Sequence, residues 1–311
     1  MAITVAMDAE FAATISRRAI LSYLQQTGAA KRFPPRSPPT TVDHTVREVI
    51  RSWNLDIPEN VYERYIVCGV DIGFAAYQHT PYDLQIAIAL FTFCATIFDD
   101  RTWLDPKAMR EFIPRFCLGQ PQLHPLLDRF VESTMNLRKF FPLYTANTIC
   151  SAVLEYANEE VYCAEDVDQT MLRPGAWQYV EYTRLKSGIP EPYAIGIWPS
   201  SVCSDLKEYV QAIPEALLFI NHVNDLFSFY KETLEGDRGN YINQYALVHE
   251  RSTSEAVSDL VDKLVSVAEN VRNILGDGSA REAWEDFVSG YTHFHLYCPR
   301  YKLAGILPEY F

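Results

Sequence analysis

Glycine and positive charge are both scarce in this sequence, and each shortage excludes classes of protein. Only 13 of the 311 residues are glycine, and the chain has no Gly-rich phosphate loop, no Asn-Gly turn and no repeating segment. Nucleotide-binding folds, β-sandwiches and solenoids are therefore disfavoured. Lysine and arginine number 27 against 40 aspartates and glutamates, which gives a net charge of -13. Nucleic acid and anionic membranes would be repelled, and an anionic substrate would need cations placed locally.

Cysteine pairs and long hydrophobic runs are missing as well. The seven cysteines include no C-x-x-C pair, and most lie in apolar segments, as is typical of proteins from a reducing compartment. The apolar run 87–98 is too short to cross a bilayer and is followed by two aspartates. No basic-then-apolar signal segment is present. We expect a cytoplasmic protein with no membrane span and no nucleic-acid partner, and the sequence leaves a homodimer open.

What the chain does have is apolar residues spaced by three and four positions, which predicts an all-α protein. Residues 1–41 are expected to form an N-terminal helix and a proline-rich arm that packs on the main domain, and residues 42–311 to form that domain. The predicted helices lie at about 10–27, 42–54, 59–77, 81–98, 106–118, 122–139, 144–166, 174–187, 206–233, 252–276 and 279–298.

One polar stripe runs along the predicted helix 206–233. Asn224, Ser228 and Glu232 recur every four residues, so their oxygens share one helical face at separations of about 5–6 Å. Short polar side chains are unfavourable in mid-helix, and a buried polar face needs partners. Oxygen ligands at this spacing suit magnesium, which usually keeps water or phosphate oxygens in its shell. Taken alone, the stripe is equally compatible with a solvated helix face.

An acidic pair, Asp99-Asp100, follows the apolar run at the end of another predicted helix. Carboxylates are disfavoured at that end by about 0.3–1 kcal/mol each, because the helix dipole is negative there. One aspartate could simply cap the next helix. Alternatively, a helical bundle would bring the pair and the polar stripe to one mouth, where they would bind divalent ions together.

Together with Arg300-Tyr301, these motifs resemble the class I terpene synthases, and most closely the fungal trichodiene synthase type. The resemblance includes VNDLFSFYKE, TRLKSGIPEPYAIGIWP and GYTHFHLYCPRYKL, and it extends from residue 60 to residue 305. It implies a single-domain helical bundle around a central apolar pocket with three magnesium ions at its mouth. It also implies ionisation of an isoprenyl diphosphate, with farnesyl diphosphate favoured, and cyclisation to a sesquiterpene with release of inorganic diphosphate.

The resemblance also assigns roles to individual residues. The magnesium ligands that it implies are Asp99, Asn224, Ser228 and Glu232. The side chains that it implies for holding the diphosphate are Arg184, Lys231, Arg300 and Tyr301. The residues expected to line the pocket are Thr92, Ala95, Thr96 and Tyr291. Asp100 is expected to support the site from behind Asp99. Taken singly, Arg184 and Lys231 are also compatible with solvated helix charges, and Arg300 with an ion pair to the acidic residues.

One position departs from the family pattern. The acidic motif of the family is commonly D-D-x-x-D/E, whereas here the fifth position is Trp103 and the next acid is Asp105. Asp99 is still expected to bind metal. Asp105 directly precedes Pro106, so we expect it to cap the following helix.

Two other functions share part of this pattern. A chain-elongating prenyltransferase uses similar magnesium chemistry, but those enzymes resemble one another in two D-D-x-x-D motifs, and this chain has one acidic pair. A non-catalytic binding protein could keep the same helical scaffold without turnover. The sequence favours terpene cyclisation over both.

Overall fold

The computed structural model describes residues 9–36, 38, 40–55, 57–100, 102–164 and 172–311. In this part of the chain there are thirteen α-helices and no β-strand, which confirms the predicted fold class. The helices are α1 Ala9–Thr27, α2 Thr40–Ser52, α3 Glu59–Ala75, α4 Tyr82–Asp100, α5 Pro106–Leu118, α6 Pro125–Leu137, α7 Leu143–Ala164, α8 Trp177–Ser187, α9 Pro190–Gly196, α10 Ile213–Glu235, α11 Tyr241–Val248, α12 Thr253–Leu275 and α13 Ser279–Tyr297.

Proline accounts for two differences from the predicted helices. The helix predicted at 206–233 begins only at Ile213, because Pro214 fits only the first turn of a helix, and two 3-10 turns precede it. The predicted helix 279–298 ends at Tyr297, just before Pro299. Arg300 and Tyr301 lie on a separate 3-10 turn, Pro299–Tyr301.

Other differences concern short helices and residues outside the described ranges. The helices α9 and α11, of seven and eight residues, are absent from the prediction. Residues 165 and 166 of the predicted helix 144–166 lie outside the described residues, as do residues 1–8, 37 and 39 of the N-terminal segment. The described part of that segment includes α1, which packs against α10 and α12.

Helix α4 is a core helix that packs against α2, α3 and α6. By length and composition it is apolar enough to cross a membrane, but most of its apolar side chains are buried inside the bundle. Its close contact with α3 depends on two glycines one turn apart on α3. A Cβ at Gly69 would lie 2.4 Å from the carbonyl oxygen of Ala89, and one at Gly73 would lie 2.6 Å from that of Gln85. Only glycine allows the two backbones to approach this closely.

Candidate active site

A cavity of about 770 Å³ is lined by residues of α3, α4, α7, α8, α9, α10, α11 and α13. Its volume is in the range of small-molecule binding sites. The residues predicted for the site that line this cavity are Thr92, Ala95, Thr96, Asp99, Arg184, Asn224, Lys231, Glu232, Tyr291, Arg300 and Tyr301. The structure places Ser228 and Asp100 beside this set but not on the lining.

Helix α4 forms one wall of the cavity through a single face. Thr92, Ala95, Thr96 and Asp99 follow the three- and four-residue spacing of a helix, so they stack towards its C-terminal end. Asp99 lies in the last turn, at the negative end of the helix dipole, and is half exposed. Among the described residues, Arg300 is paired with it, with Nη2 3.9 Å from Oδ2 of Asp99. The structure thus brings these two site residues together across the mouth.

Asp100 is turned away from the cavity. Its carboxylate accepts hydrogen bonds from Arg64 Nη2 at 2.5 Å, from Thr102 Oγ1 at 2.5 Å and from the hydroxyl of Tyr65. Partial burial alone would raise the pKa of Asp100, but these hydrogen bonds and the charge of Arg64 hold it below its ordinary value. The residues of the acidic pair therefore have different surroundings, and only Asp99 faces the cavity.

Helix α10 forms the opposite wall and carries the polar stripe. Ser228 is buried, and its Oγ lies close enough to the Glu232 carboxylate to lower the pKa of that group, but it makes no hydrogen bond of normal length and angle among the described residues. Burial raises the pKa of Glu232, although the ammonium group of Lys231, 3.9 Å from its Oε1, opposes this shift. A buried hydroxyl that lacks a well-formed hydrogen bond is unfavourable, so the oxygens of Ser228 and Glu232 are available to a bound ligand.

The chemistry of these donors fits magnesium. Among the described residues, no three or more His, Cys, Asp or Glu side chains gather into a site that could hold a metal by themselves. The side chains in question all offer hard oxygen ligands, and only two of them are carboxylates. They are Asn224, Ser228 and Glu232 on α10 and Asp99 across the cavity. Such a set suits an ion that completes its shell with water and phosphate oxygens, as magnesium does.

Arg184 is largely buried in the last turn of α8 and is not a solvated surface charge. Its Nε donates to Oδ1 of Asp225 at 2.7 Å, and its Nη2 donates to the carbonyl oxygen of Asn221 at 3.2 Å and to Oδ1 of Asn224 at 3.3 Å. Burial would lower the pKa of Arg184, but the Asp225 carboxylate outweighs this effect and holds the pKa above its ordinary value. The guanidinium is therefore held as a cation at the cavity wall.

Sequence reasoning assigns no role to Asp225 or His295, yet both contact the site. Asp225 follows Asn224 but points about 100° around the helix, where it meets Arg184 and also accepts from His222 Nδ1 at 3.1 Å. His295 lies 3.3 Å from Asn224, measured between Nε2 and Nδ2. Burial lowers the pKa of His295 to about 3, so its ring is neutral. One sequence signal could have predicted this difference. Because Asp225 is offset by about 100° from Asn224 around the helix, it does not share the face of Asn224, Ser228 and Glu232.

The inner part of the cavity is lined by aromatic rings whose polar atoms are already satisfied. The hydroxyl of Tyr291 donates to the carbonyl oxygen of Ile220 at 3.2 Å, and the hydroxyls of Tyr193 and Thr92 pair at 3.0 Å. The ring of Phe294 completes this surface. The cavity is therefore charged at one end and aromatic at the other.

The fold matches solved terpene synthases. The linalool/nerolidol synthase from Streptomyces clavuligerus, solved in complex with 2-fluorogeranyl diphosphate, superimposes with a TM-score of 0.59 over 84% of this chain and 94% of that one, at 15% sequence identity. At this identity the likeness concerns the fold alone. The helical bundle is thus of the isoprenoid synthase fold class.

Sequence comparison gives the family within that class. The family model described as Trichodiene synthase (TRI5) matches residues 66–309, so the chain belongs to this family. Monoterpene synthase 25 from Postia placenta is 35% identical over 84% of this chain and 78% of its own length. Alpha-cuprenene synthase COP6 from Coprinopsis cinerea is 29% identical over 82% of this chain and 78% of its own length. The resemblance seen in the motifs is thereby confirmed, and the protein is a carbon–oxygen lyase of the terpene cyclase type.

Proposed function

We propose that this protein ionises farnesyl diphosphate in a magnesium-dependent reaction and cyclises the resulting cation to a sesquiterpene, with release of inorganic diphosphate. The observation that carries this proposal is the division of one cavity into a charged mouth and an aromatic interior. A substrate with an anionic head and an apolar chain is complementary to such a cavity at both ends. Membership of the trichodiene synthase family favours the farnesyl chain.

We propose that three magnesium ions bind at the mouth of the cavity, because the resemblance to the class I terpene synthases implies this number. The residues that would hold them are Asp99, Asn224, Ser228 and Glu232. When bound, magnesium supplies Lewis-acid stabilisation of the diphosphate leaving group. The buried hydroxyl of Ser228, which makes no hydrogen bond of normal geometry among the described residues, and the largely buried carboxyl of Glu232 beside it support this assignment on the α10 side.

The chain's own cations would hold the diphosphate oxygens. Arg184, Lys231 and Arg300 carry positive charge to the cavity lining, and the hydroxyl of Tyr301 adds a donor. Charge-assisted hydrogen bonds of this kind stabilise the negative charge that develops as the carbon–oxygen bond breaks. Arg300 now pairs with Asp99 at 3.9 Å. If Arg300 leaves Asp99 and binds the diphosphate, substrate binding would be coupled to closure of the mouth.

The aromatic end would protect and guide the cation. Its rings present π-electron faces to positive charge, and the Tyr193 and Tyr291 hydroxyls are engaged in hydrogen bonds within the protein. Water is thereby disfavoured next to the cation.

Four cysteines, Cys68, Cys94, Cys203 and Cys298, are buried and form no disulfide, which supports the proposal that the enzyme acts in the cytoplasm.

The test is incubation of the purified protein with geranyl, farnesyl and geranylgeranyl diphosphate, with magnesium or with excess EDTA. We expect diphosphate release with magnesium only, the fastest turnover with farnesyl diphosphate, and a cyclic hydrocarbon or alcohol in gas chromatography of the extract. A longer linear prenyl diphosphate formed with added isopentenyl diphosphate would indicate an elongating enzyme instead. Absence of diphosphate release with all three substrates would favour a non-catalytic binding protein.

A further inference from the structure

His295 lies in α13 with both ring nitrogens committed to partners. The side chain is fully buried and lines the cavity. Its Nδ1 is 2.8 Å from the carbonyl oxygen of Tyr291, one turn earlier in the same helix. A carbonyl oxygen can only accept a hydrogen bond, so Nδ1 carries the hydrogen. Arg184 Nη2 can only donate and takes the amide oxygen Oδ1 of Asn224, so the group of Asn224 that faces Nε2 of His295 is its NH2. An NH2 group can only donate, so Nε2 holds a lone pair and accepts.

This lone pair faces the amide of Asn224. Nδ2 of Asn224 lies 3.3 Å from Nε2 of His295 and 3.2 Å from the hydroxyl oxygen of Tyr301. Rotating the amide by half a turn would place its oxygen against the lone pair of Nε2, which would repel it. The hydroxyl of Tyr301 can either donate or accept, so it does not distinguish the two orientations. His295 and Arg184 do distinguish them, because Nε2 of His295 accepts and Nη2 of Arg184 can only donate.

The opposite end of the amide is oriented as a consequence. With Nδ2 held by His295, Oδ1 lies on the side of Arg184, whose Nη2 donates to it at 3.3 Å. This is the only end of the Asn224 side chain that can bind magnesium, because an amide nitrogen has no available lone pair. The backbone carbonyl of Tyr291 thus sets the tautomer of His295, and His295 and Arg184 hold the two ends of the Asn224 amide in one orientation.

We propose that His295 is a positioning residue that holds the amide of Asn224 with its oxygen presented for the metal. This inference rests on the proposed function, since it concerns the metal ligand on the α10 wall. His295 touches neither substrate nor metal in this account. Partners that orient a ligand in this way typically change metal affinity by about 10–100-fold when they are removed.

His293 provides a matched control two residues away on the same helix. It too is a buried histidine, but neither of its ring nitrogens has a hydrogen-bond partner among the described residues. Its ring packs against Phe33 and Tyr297 instead. Replacing either histidine by phenylalanine removes an imidazole from the core of α13, but only one replacement removes the acceptor for Asn224.

The experiment measures magnesium binding without turnover, by calorimetry and by the shift in melting temperature with magnesium chloride and inorganic diphosphate. His295→Phe should weaken the magnesium-dependent response by about 10–100-fold, while His293→Phe should leave it unchanged. Circular dichroism checks that each variant is folded. If the phenylalanine does not fit, His295→Leu carries the same expectation with a smaller side chain.

A second background separates orientation from packing. In the Asn224→Asp background both carboxylate oxygens are equivalent, so neither needs to be selected. His295→Phe should therefore cost much less magnesium affinity in this background than with Asn224 present. An equal loss in both backgrounds, or no loss in either, would overturn the inference. Absence of any magnesium-dependent response in the wild-type protein would instead contradict the proposed function.

Discussion

Arg184 and Asp225 join helices α8 and α10 through a hydrogen bond of 2.7 Å between Nε and Oδ1. Asp225 directly follows Asn224, so the residue that holds the arginine is the neighbour of a proposed metal ligand. Nη2 of the same guanidinium donates both to the carbonyl oxygen of Asn221 and to Oδ1 of Asn224. A planar group with donors in fixed directions can satisfy these acceptors together, and a single ammonium cannot.

Arg184→Lys should therefore lower turnover even though the charge is kept. Hydrogen bonds to charged groups contribute about 1.5–3 kcal/mol each, so the loss of one predicts a decrease in kcat/KM of roughly ten-fold or more. The measurement is steady-state diphosphate release. Lys186→Arg is the matched control, because Lys186 lies on the same helix but pairs with Glu155 at 2.5 Å and does not line the cavity. Wild-type kinetics in Arg184→Lys would remove this residue from the diphosphate site.

Asp71 on α3 should make stability depend on pH. Burial raises the pKa of Asp71 to about 6, and the negative charge of Asp43 adds to the shift. Because the folded pKa exceeds the unfolded value of about 3.9, the neutral carboxyl contributes stability that is fully present below about pH 4 and is lost as the pH rises through 6. At about pH 8 the ionised group should cost roughly 3 kcal/mol.

The check is the melting temperature of Asp71→Asn at both pH values. The variant should melt above the wild-type protein at about pH 8 and together with it at about pH 4. Asp262→Asn, an exposed position on α12, serves as the control and should show no such difference. A variant that is less stable than the wild type at high pH would mean that the carboxylate is favourably bound.

Gly290 should be irreplaceable for packing. A methyl group at this position would lie 1.8 Å from the backbone carbonyl oxygen of Ala75, where α13 crosses the end of α3. Backbone atoms cannot move aside cheaply, so Gly290→Ala should lower the free energy of unfolding by about 3 kcal/mol. Gly305→Ala is the control, since nothing lies within 4 Å of its added methyl group. Equal melting temperatures for the two variants would show that α3 and α13 are not in close contact.

The parts of this structure that depend on local sequence were predictable. Asp105 caps α5 through a 2.7 Å hydrogen bond from the backbone N–H of Lys107, as its position before Pro106 indicates. The stripe of Asn224, Ser228 and Glu232 follows from helical periodicity alone. The long helices were found because their apolar spacing persists over several turns.

The missed features have two physical causes. Helices α9 and α11 are only seven and eight residues long, too short for a periodic pattern, and their stability comes from tertiary packing. The pairs Arg184–Asp225 and Asn224–His295 join residues that are 41 and 71 positions apart. Such contacts depend on how α8, α10 and α13 pack, and a single sequence contains no local signal for that packing.

The central claim is that Asp99 and Glu232 hold metal from opposite walls, and a magnesium titration of the initial rate of diphosphate release tests it most directly. Asp99→Asn and Glu232→Gln should each raise the half-saturating magnesium concentration by about ten-fold or more. Asp105→Asn should not, because asparagine caps a helix as well as aspartate does. Wild-type magnesium dependence in Asp99→Asn and Glu232→Gln, or full activity of the wild-type protein in excess EDTA, would contradict the account.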